Sequence, residues 1–165
     1  FKETYHRLKL WLNTNSNERD LFTGFWIVDQ FQYPDLNLLN IQLKIEKIRK
    51  KIWLELNNSL TLLEKTTILN HFLFNVFDFS INHSNIKSSQ NCFLSQMLDS
   101  KKGNSISMSI LYTIIARQLE LPVYFIDFPK NPLIAIVDPN WQEKYTVPRS
   151  IPMFCFTLIQ RTKAP

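Results

Sequence analysis

The sequence predicts an α+β fold in which N-terminal helices pack around a central helix and a small antiparallel sheet follows; three stretches carry that prediction. The run from Ser105 to Leu121 is apolar nearly all round. It starts sharply at Gly103-Asn104, where Asn104 or Ser105 can cap the first free N–H groups, and stops at Pro122. Leu38, Ile41, Ile45, Ile48, Ile52 and Leu56 recur every three or four residues, the signature of an amphipathic helix. After Pro122 the period becomes extended: Val123–Phe128, Leu133–Val137, Lys144–Val147 and Met153–Ile159 are short and rich in branched and aromatic residues. Their connections are too short for the crossover helices of a parallel sheet, so antiparallel pairing is expected.

In chain order, Tyr5, Leu8, Trp11 and Leu12 suit a first helix that the turn formers Asn13–Asn17 end. Leu21 to Gln32 predicts a second, with apolar residues at Phe22, Phe25, Trp26, Val28 and Phe31, closed by Tyr33-Pro34. Asp35 or Asn37 can cap the third, which should reach about Leu56. Thr61 and Glu64 have the spacing of a capping box for a helix reaching Phe77, with Leu62, Ile68, Leu69, Phe72, Leu73 and Val76 as its buried face. Ser80 to Gln90 is polar and reads as an ordered loop. Cys92 to Leu98 reads as a short helix leading into the central one, whose own stripe is Ile106, Ile110 and Ile114 beside Met108, Leu111, Ile115 and Leu119.

A chain of 165 residues, 45% hydrophobic and with 13 Phe, can build one substantial core. A single domain over 1–165 is expected, its helical part in 1–98 and the central helix plus sheet in 99–165. The net charge of +5 is partly local, in Lys44, Lys47, Arg49, Lys50 and Lys51. With no binding motif beside it, that cluster reads as a solvated face and not as a nucleic-acid site. Two cysteines, Cys92 and Cys155, are too few for a disulfide framework and lack metal-site spacing, which fits a reducing cytoplasm. No apolar run is long enough to span a membrane, and residues 1–15 lack the core of a signal peptide.

Three segments carry a likeness to a family: Gly24-Phe-Trp-Ile-Val-Asp-Gln-Phe-Gln-Tyr-Pro-Asp-Leu36, Leu69-Asn-His-Phe-Leu-Phe74, and Phe93-Leu-Ser-Gln-Met-Leu-Asp-Ser-Lys-Lys-Gly-Asn-Ser-Ile-Ser-Met-Ser-Ile-Leu-Tyr112. Over residues 20–140 the chain resembles the bacterial SirB-type proteins of the transglutaminase-like superfamily. The resemblance implies a papain-like core, with a cysteine at the start of the central helix, a histidine on the next strand and an acid on the strand after. A helix N-terminus favours a thiolate, the histidine handles the proton, and the acid orients the imidazole. By the family's spacing Ser105 stands where the cysteine would be, and Asn131 stands where the histidine would be. Asp138, in Asp138-Pro139, either keeps the acid's place or is a plain hairpin residue. The related proteins also place glycine at the position of Glu120, so a left-handed residue under modest strain is expected there.

Each of these residues also has an ordinary role. Ser105, Ser107 and Ser109 suit caps and early-turn positions, and Asn131 suits a turn between two prolines. Cys92 and Cys155, beside Phe93, Phe154 and Phe156, are expected as small core residues. His71 suits a structural histidine, and His83 lies in the polar loop. Asp127 and Asp138 flank strands as turn formers do, and Trp26, Trp53 and Trp141 read as core or interface. The expectation is therefore a non-catalytic cytoplasmic interaction or scaffold module with a protein partner and neither metal nor cofactor. The alternative is an atypical hydrolase or acyltransferase using Ser105 or Cys92 with a histidine, His71 or His83, brought in from elsewhere.

Overall fold

The computed structural model describes residues 2–15, 19–126, 133–136 and 154–156. Among these residues six α-helices precede a sheet of three described strands: α1 (Lys2–Asn13), α2 (Leu21–Gln32), α3 (Leu38–Trp53), α4 (Leu62–Asn70), α5 (Leu94–Ser100) and α6 (Ser105–Gln118). A π-helical turn (His71–Val76) continues α4, and a 3-10 turn (Ser89–Cys92) precedes α5. The short strands β1 (Ser80–Ile81) and β2 (Lys102–Gly103) pair in parallel. Strands β3 (Val123–Ile126), β4 (Leu133–Ile136) and β5 (Phe154–Phe156) pair antiparallel in sequence order, with Val123 opposite Ile136 and Ala135 opposite Cys155.

The α+β prediction holds, and so do most helix boundaries. Asn37, not Asp35, caps α3, its side chain accepting from the Leu39 N–H at 2.9 Å. Ile41, Ile45, Ile48 and Ile52 are all buried. The helix ends at Trp53 instead of Leu56. Thr61 and Glu64 form the expected capping box. The helix they start does not stay α-helical to Phe77. It widens at His71, where the Phe77 N–H reaches the Phe72 carbonyl five residues back. Widening changes the face that each residue presents, and Val76, expected in the core, is 47% exposed. In α2, Val28 and Phe31 face outward, while Ile27 is buried with Phe25. The loop expected at Ser80–Gln90 contains β1 and the start of the 3-10 turn, and α5 begins at Leu94, after Cys92. The strand expected at Lys144–Val147 lies outside the described residues.

α1 buries no residue of its own. It rests on α2 through Trp11, whose ring lies where a Cβ on Gly24 would be 2.4 Å from it, and through Arg7, which stacks 4.4 Å over the Trp26 ring and donates to the Gln30 side chain at 2.7 Å.

α6 is the most deeply set helix, with Met108, Leu111, Tyr112, Ile114, Ile115 and Ala116 in the core beside Ile45, Leu69, Met97 and Ile134. Tyr112 stacks on Phe74 at 6.4 Å, and burial pushes its phenol pKa up. At the C-terminal end of α6 the Leu121 N–H bonds the Ala116 carbonyl at 2.9 Å and the Glu120 N–H bonds the Arg117 carbonyl at 3.0 Å, the Schellman pattern. That pattern needs a left-handed residue, and Glu120 supplies it at φ 58°, as expected from its place. A side chain there costs about 1–2 kcal/mol relative to glycine.

A buried carboxylate joins the two halves of the helical part. Asp29 of α2 is 0% exposed, and its two oxygens accept the Leu94 N–H at 2.8 Å and the Ser95 N–H at 2.6 Å. Phe93, the residue before α5, provides no side-chain cap, so Asp29 caps α5 from 65 residues away. Burial raises the Asp29 pKa above its ordinary 3.8, and the backbone N–H groups of Ser95 and Leu94 partly oppose the rise. Replacing Asp29 with Ala leaves two buried N–H groups without an acceptor and should lower stability by roughly 2–4 kcal/mol in urea unfolding. Because the folded carboxyl holds its proton to higher pH than the unfolded one, raising pH through the window above 3.8 removes stability. The stability difference between wild type and Asp29→Asn should accordingly fall across that window as pH rises.

Candidate functional site

The start of α6 is built by three chain segments. β2 delivers the backbone to Asn104, whose side-chain oxygen accepts the Ser107 N–H at 2.8 Å while the Ser107 Oγ accepts the Asn104 N–H at 3.0 Å. The cap is thus Asn104, not Ser105, and it is reciprocal. Just after β1, the Asn82 N–H bonds the Gly103 carbonyl at 2.9 Å. The Asn82 amide donates to the Asn91 side chain at 2.9 Å, and Asn91, buried, donates to the Asn85 carbonyl at 2.8 Å. Asn91 also accepts the Asn104 N–H on its own carbonyl at 3.4 Å. This asparagine cluster fixes the 3-10 turn against the helix start.

Ser105 occupies the first position of α6 and is half-buried. Ser107 is buried in the cap, and Ser109 is buried one turn further on with a hydroxyl that makes no hydrogen bond among the described residues. Ile106, expected on the core stripe, is 54% exposed, so the buried part of the helix begins at Ser107. Cys92 corrects another expectation: it is exposed, not a core residue, and its Sγ accepts the Asn104 Nδ2–H at 3.1 Å. The 3-10 turn ends there, and the next residue, Phe93, turns inward to pack edge-on against Tyr33 at 5.4 Å.

The structure brings Ser105 and Cys92 to one place on either side of Asn104. His71 is elsewhere, on the π-helical turn, with its Nδ1 3.1 Å from the Asn75 amide. His83 is exposed two residues beyond β1, its N–H bonded to the Ile81 carbonyl at 2.9 Å. Asn131, Asp127, Asp138 and Trp141 lie outside the described residues; Cys155 is on β5. Trp26 is half-buried under Arg7, and Trp53 is 58% exposed. Among the described residues no cluster of His, Cys, Asp or Glu could hold a metal ion. No described helix is long and apolar enough to cross a membrane.

Asn82, Asn91 and Asp29 are not among the candidates that composition and spacing single out. The asparagines carry no periodic signal. Asp29 did have one, since it falls three and four residues after Trp26 and Phe25 on an otherwise apolar face.

Gly103 is required by close approach. A Cβ there would lie 2.6 Å from Ser107 Oγ and 2.8 Å from Met97 Sδ. The methionine end can swing away, but the Ser107 hydroxyl is tied into the cap. Gly103→Ala should therefore cost about 1–3 kcal/mol, read as a lowered urea midpoint, with a weakened Asn104–Ser107 cap visible in the Ser107 amide shift.

A family model described as the transglutaminase-like superfamily matches residues 40–151. Among curated relatives, a UPF0162 protein of Xylella fastidiosa (strain Temecula1) is 26% identical over 137 residues, 78% of this chain and 47% of its own length. A second UPF0162 protein, from strain 9a5c, is 27% identical over 115 residues, 67% of this chain and 39% of its own. The human F-box only protein 21 is 26% identical over 151 residues, 78% of this chain and 24% of its own. The chain thus spans less than half the length of the curated relatives it matches. No solved structure matches it significantly. With more than half of the sequence inside the family model and a central helix set against an antiparallel sheet, the chain belongs to the transglutaminase-like superfamily.

Proposed function

We propose that the chain is a non-catalytic, SirB-type member of the superfamily, a single domain over 1–165 that serves as a cytoplasmic interaction or scaffold module for a protein partner. The observation that carries this reading is the residue at the first position of α6. Ser105 stands there, beside Asn104 and Ser107, which are committed to each other as a cap. A serine hydroxyl is protonated at neutral pH and attacks an acyl group only with an adjacent base. Asn131, at the position that the resemblance gives to the histidine, cannot take and return a proton in this range. Asp138 then has no imidazole at that position to orient. A helix-on-sheet core with its nucleophile and base positions replaced is a core kept for its surface.

Cys92 favours a second reading. It is an exposed thiol at the start of α6, hydrogen-bonded by Asn104, and an atypical hydrolase or acyltransferase would use it or Ser105 with a histidine. The two readings separate in one experiment, in which the full chain is offered peptide, glutamine-amide and ester acyl donors and, separately, an acyl fluorophosphonate and iodoacetamide. The module shows no turnover, no labelling at Ser105, and alkylation of Cys92 at the rate of a free cysteine peptide. Turnover that disappears in Ser105→Ala or Cys92→Ser contradicts it.

A further inference from the structure

The basic residues of α3 divide into two sets once the fold is known. Glu46 pairs with Arg49 at 2.6 Å and lies 3.9 Å from Lys50, so on that side of the helix one carboxylate partly offsets two cations. Lys44, Lys47 and Lys51, spaced by three and four, form a stripe about 10 Å long on another side. The end of α5 and β2 bring Lys101 and Lys102 to the same corner. Lys101 takes a left-handed conformation at φ 62°, its Nζ lies 4.6 Å over the Phe79 ring, and its pKa is lowered chiefly by burial, with Asp99 opposing the fall and the charges of Lys44 and Lys47 adding to it. Lys51 Nζ lies 5.4 Å over Phe77, and Lys102 Nζ donates to Ser80 Oγ at 2.5 Å. Among the described residues Asp99 pairs with Lys44, exposed Asp78 lies between Phe77 and Phe79 in sequence, and exposed Glu55 lies four residues beyond Lys51. Five lysines therefore stand against three carboxylates.

The geometry points to this corner as the docking surface for an acidic segment of a protein partner. This names the partner chemistry of the module proposed above, and rests on that reading for the partner's being a protein. Three of the ammonium groups are already held in place, Lys44 by Asp99, Lys101 by the Leu98 carbonyl and the Phe79 ring, and Lys102 by Ser80, so less side-chain freedom is lost on binding. An extended segment of about three or four residues spans the stripe, at roughly 3.3 Å per residue. A nucleic acid fits less well. Phe79 is buried and Phe77 half-buried, each beneath a lysine, so neither offers an open ring for a base to stack on. The stripe is also shorter than a duplex contact that neutralises about six to ten phosphates.

The test is fluorescence anisotropy of the full chain with labelled deca-glutamate, a neutral glycine-serine peptide of the same length and a short oligo-dT, at low salt and at about 0.15 M salt. Deca-glutamate should bind saturably and more weakly as salt rises, and the neutral peptide should not bind. The double change Lys47→Glu with Lys51→Glu, at exposed sites, should weaken binding about tenfold or more, and Lys101→Asn, which tolerates the left-handed backbone, about threefold. The same charge change on α1, Lys2→Glu with Lys9→Glu, should alter it less than about twofold. Absence of saturable deca-glutamate binding, an equal loss in the α1 variant, or tighter binding of oligo-dT overturns the inference. Any of these with acyl turnover still absent removes the acidic partner alone, whereas turnover removes the module reading.

Discussion

The Asp29 carboxylate sets the geometry on which the rest of the helical part depends. A seven-residue helix with no cap of its own exposes free N–H groups at its start, and in α5 that start is buried. Asp29 satisfies two of those groups from α2, and the opposite charges of carboxylate and helix end add to the two hydrogen bonds. Desolvation works against the ionised form, which explains the direction of its pKa. Once α5 is fixed, Met97 lies against Gly103, Gly103 against Ser107, and the position of the α6 start follows. The family model begins at residue 40, yet the group that fixes α5 comes from the helix before it.

Both ends of α6 close with recognised local chemistry, and each closing residue constrains what the helix can do. At the N-terminal end the Asn104–Ser107 pair takes up a free N–H and holds the Asn104 side chain between Ser107 and Cys92. At the C-terminal end a glutamate accepts a left-handed backbone to complete the Schellman bonds. Lys101 does the same for α5, its N–H returning to the Met97 carbonyl at 2.9 Å, and in doing so it projects into the lysine corner beside Phe79. A strained turn there serves both helix termination and the placement of charge.

Much of this fold was legible because its signals are local. The stripe of α3, the Thr61–Glu64 box, the boundaries of α2 and the antiparallel pairing after Pro122 follow from residue spacing and backbone preference, and the left-handed Glu120 from the resemblance, which implies glycine at its position. What was not legible depends on distant partners. The π-helical widening after Asn70 leaves no mark in an apolar period, and a two-residue parallel pair such as β1–β2 has no pattern to show. Its aromatic neighbour in sequence points Cys92 to the core, yet its own side chain is exposed where the 3-10 turn meets α6. The resemblance marks the start of α6 as the candidate site through Ser105, but the asparagines that hold it in place come from segments that composition alone marks as loop.

Ser105 at the helix start, the reciprocal cap beside it and Lys101 at the end of α5 all follow the placement of α5, whose start Asp29 caps. Native-state hydrogen exchange, compared between wild type and Asp29→Ala, tests this dependence most directly. In wild type the Leu94 and Ser95 amides should be strongly protected. In the variant they and the Ser107 amide should lose more protection than that of Ile115 in the middle of α6. A uniform loss at all four amides, or a Ser107 amide that keeps its protection when Leu94 and Ser95 lose theirs, would contradict the account.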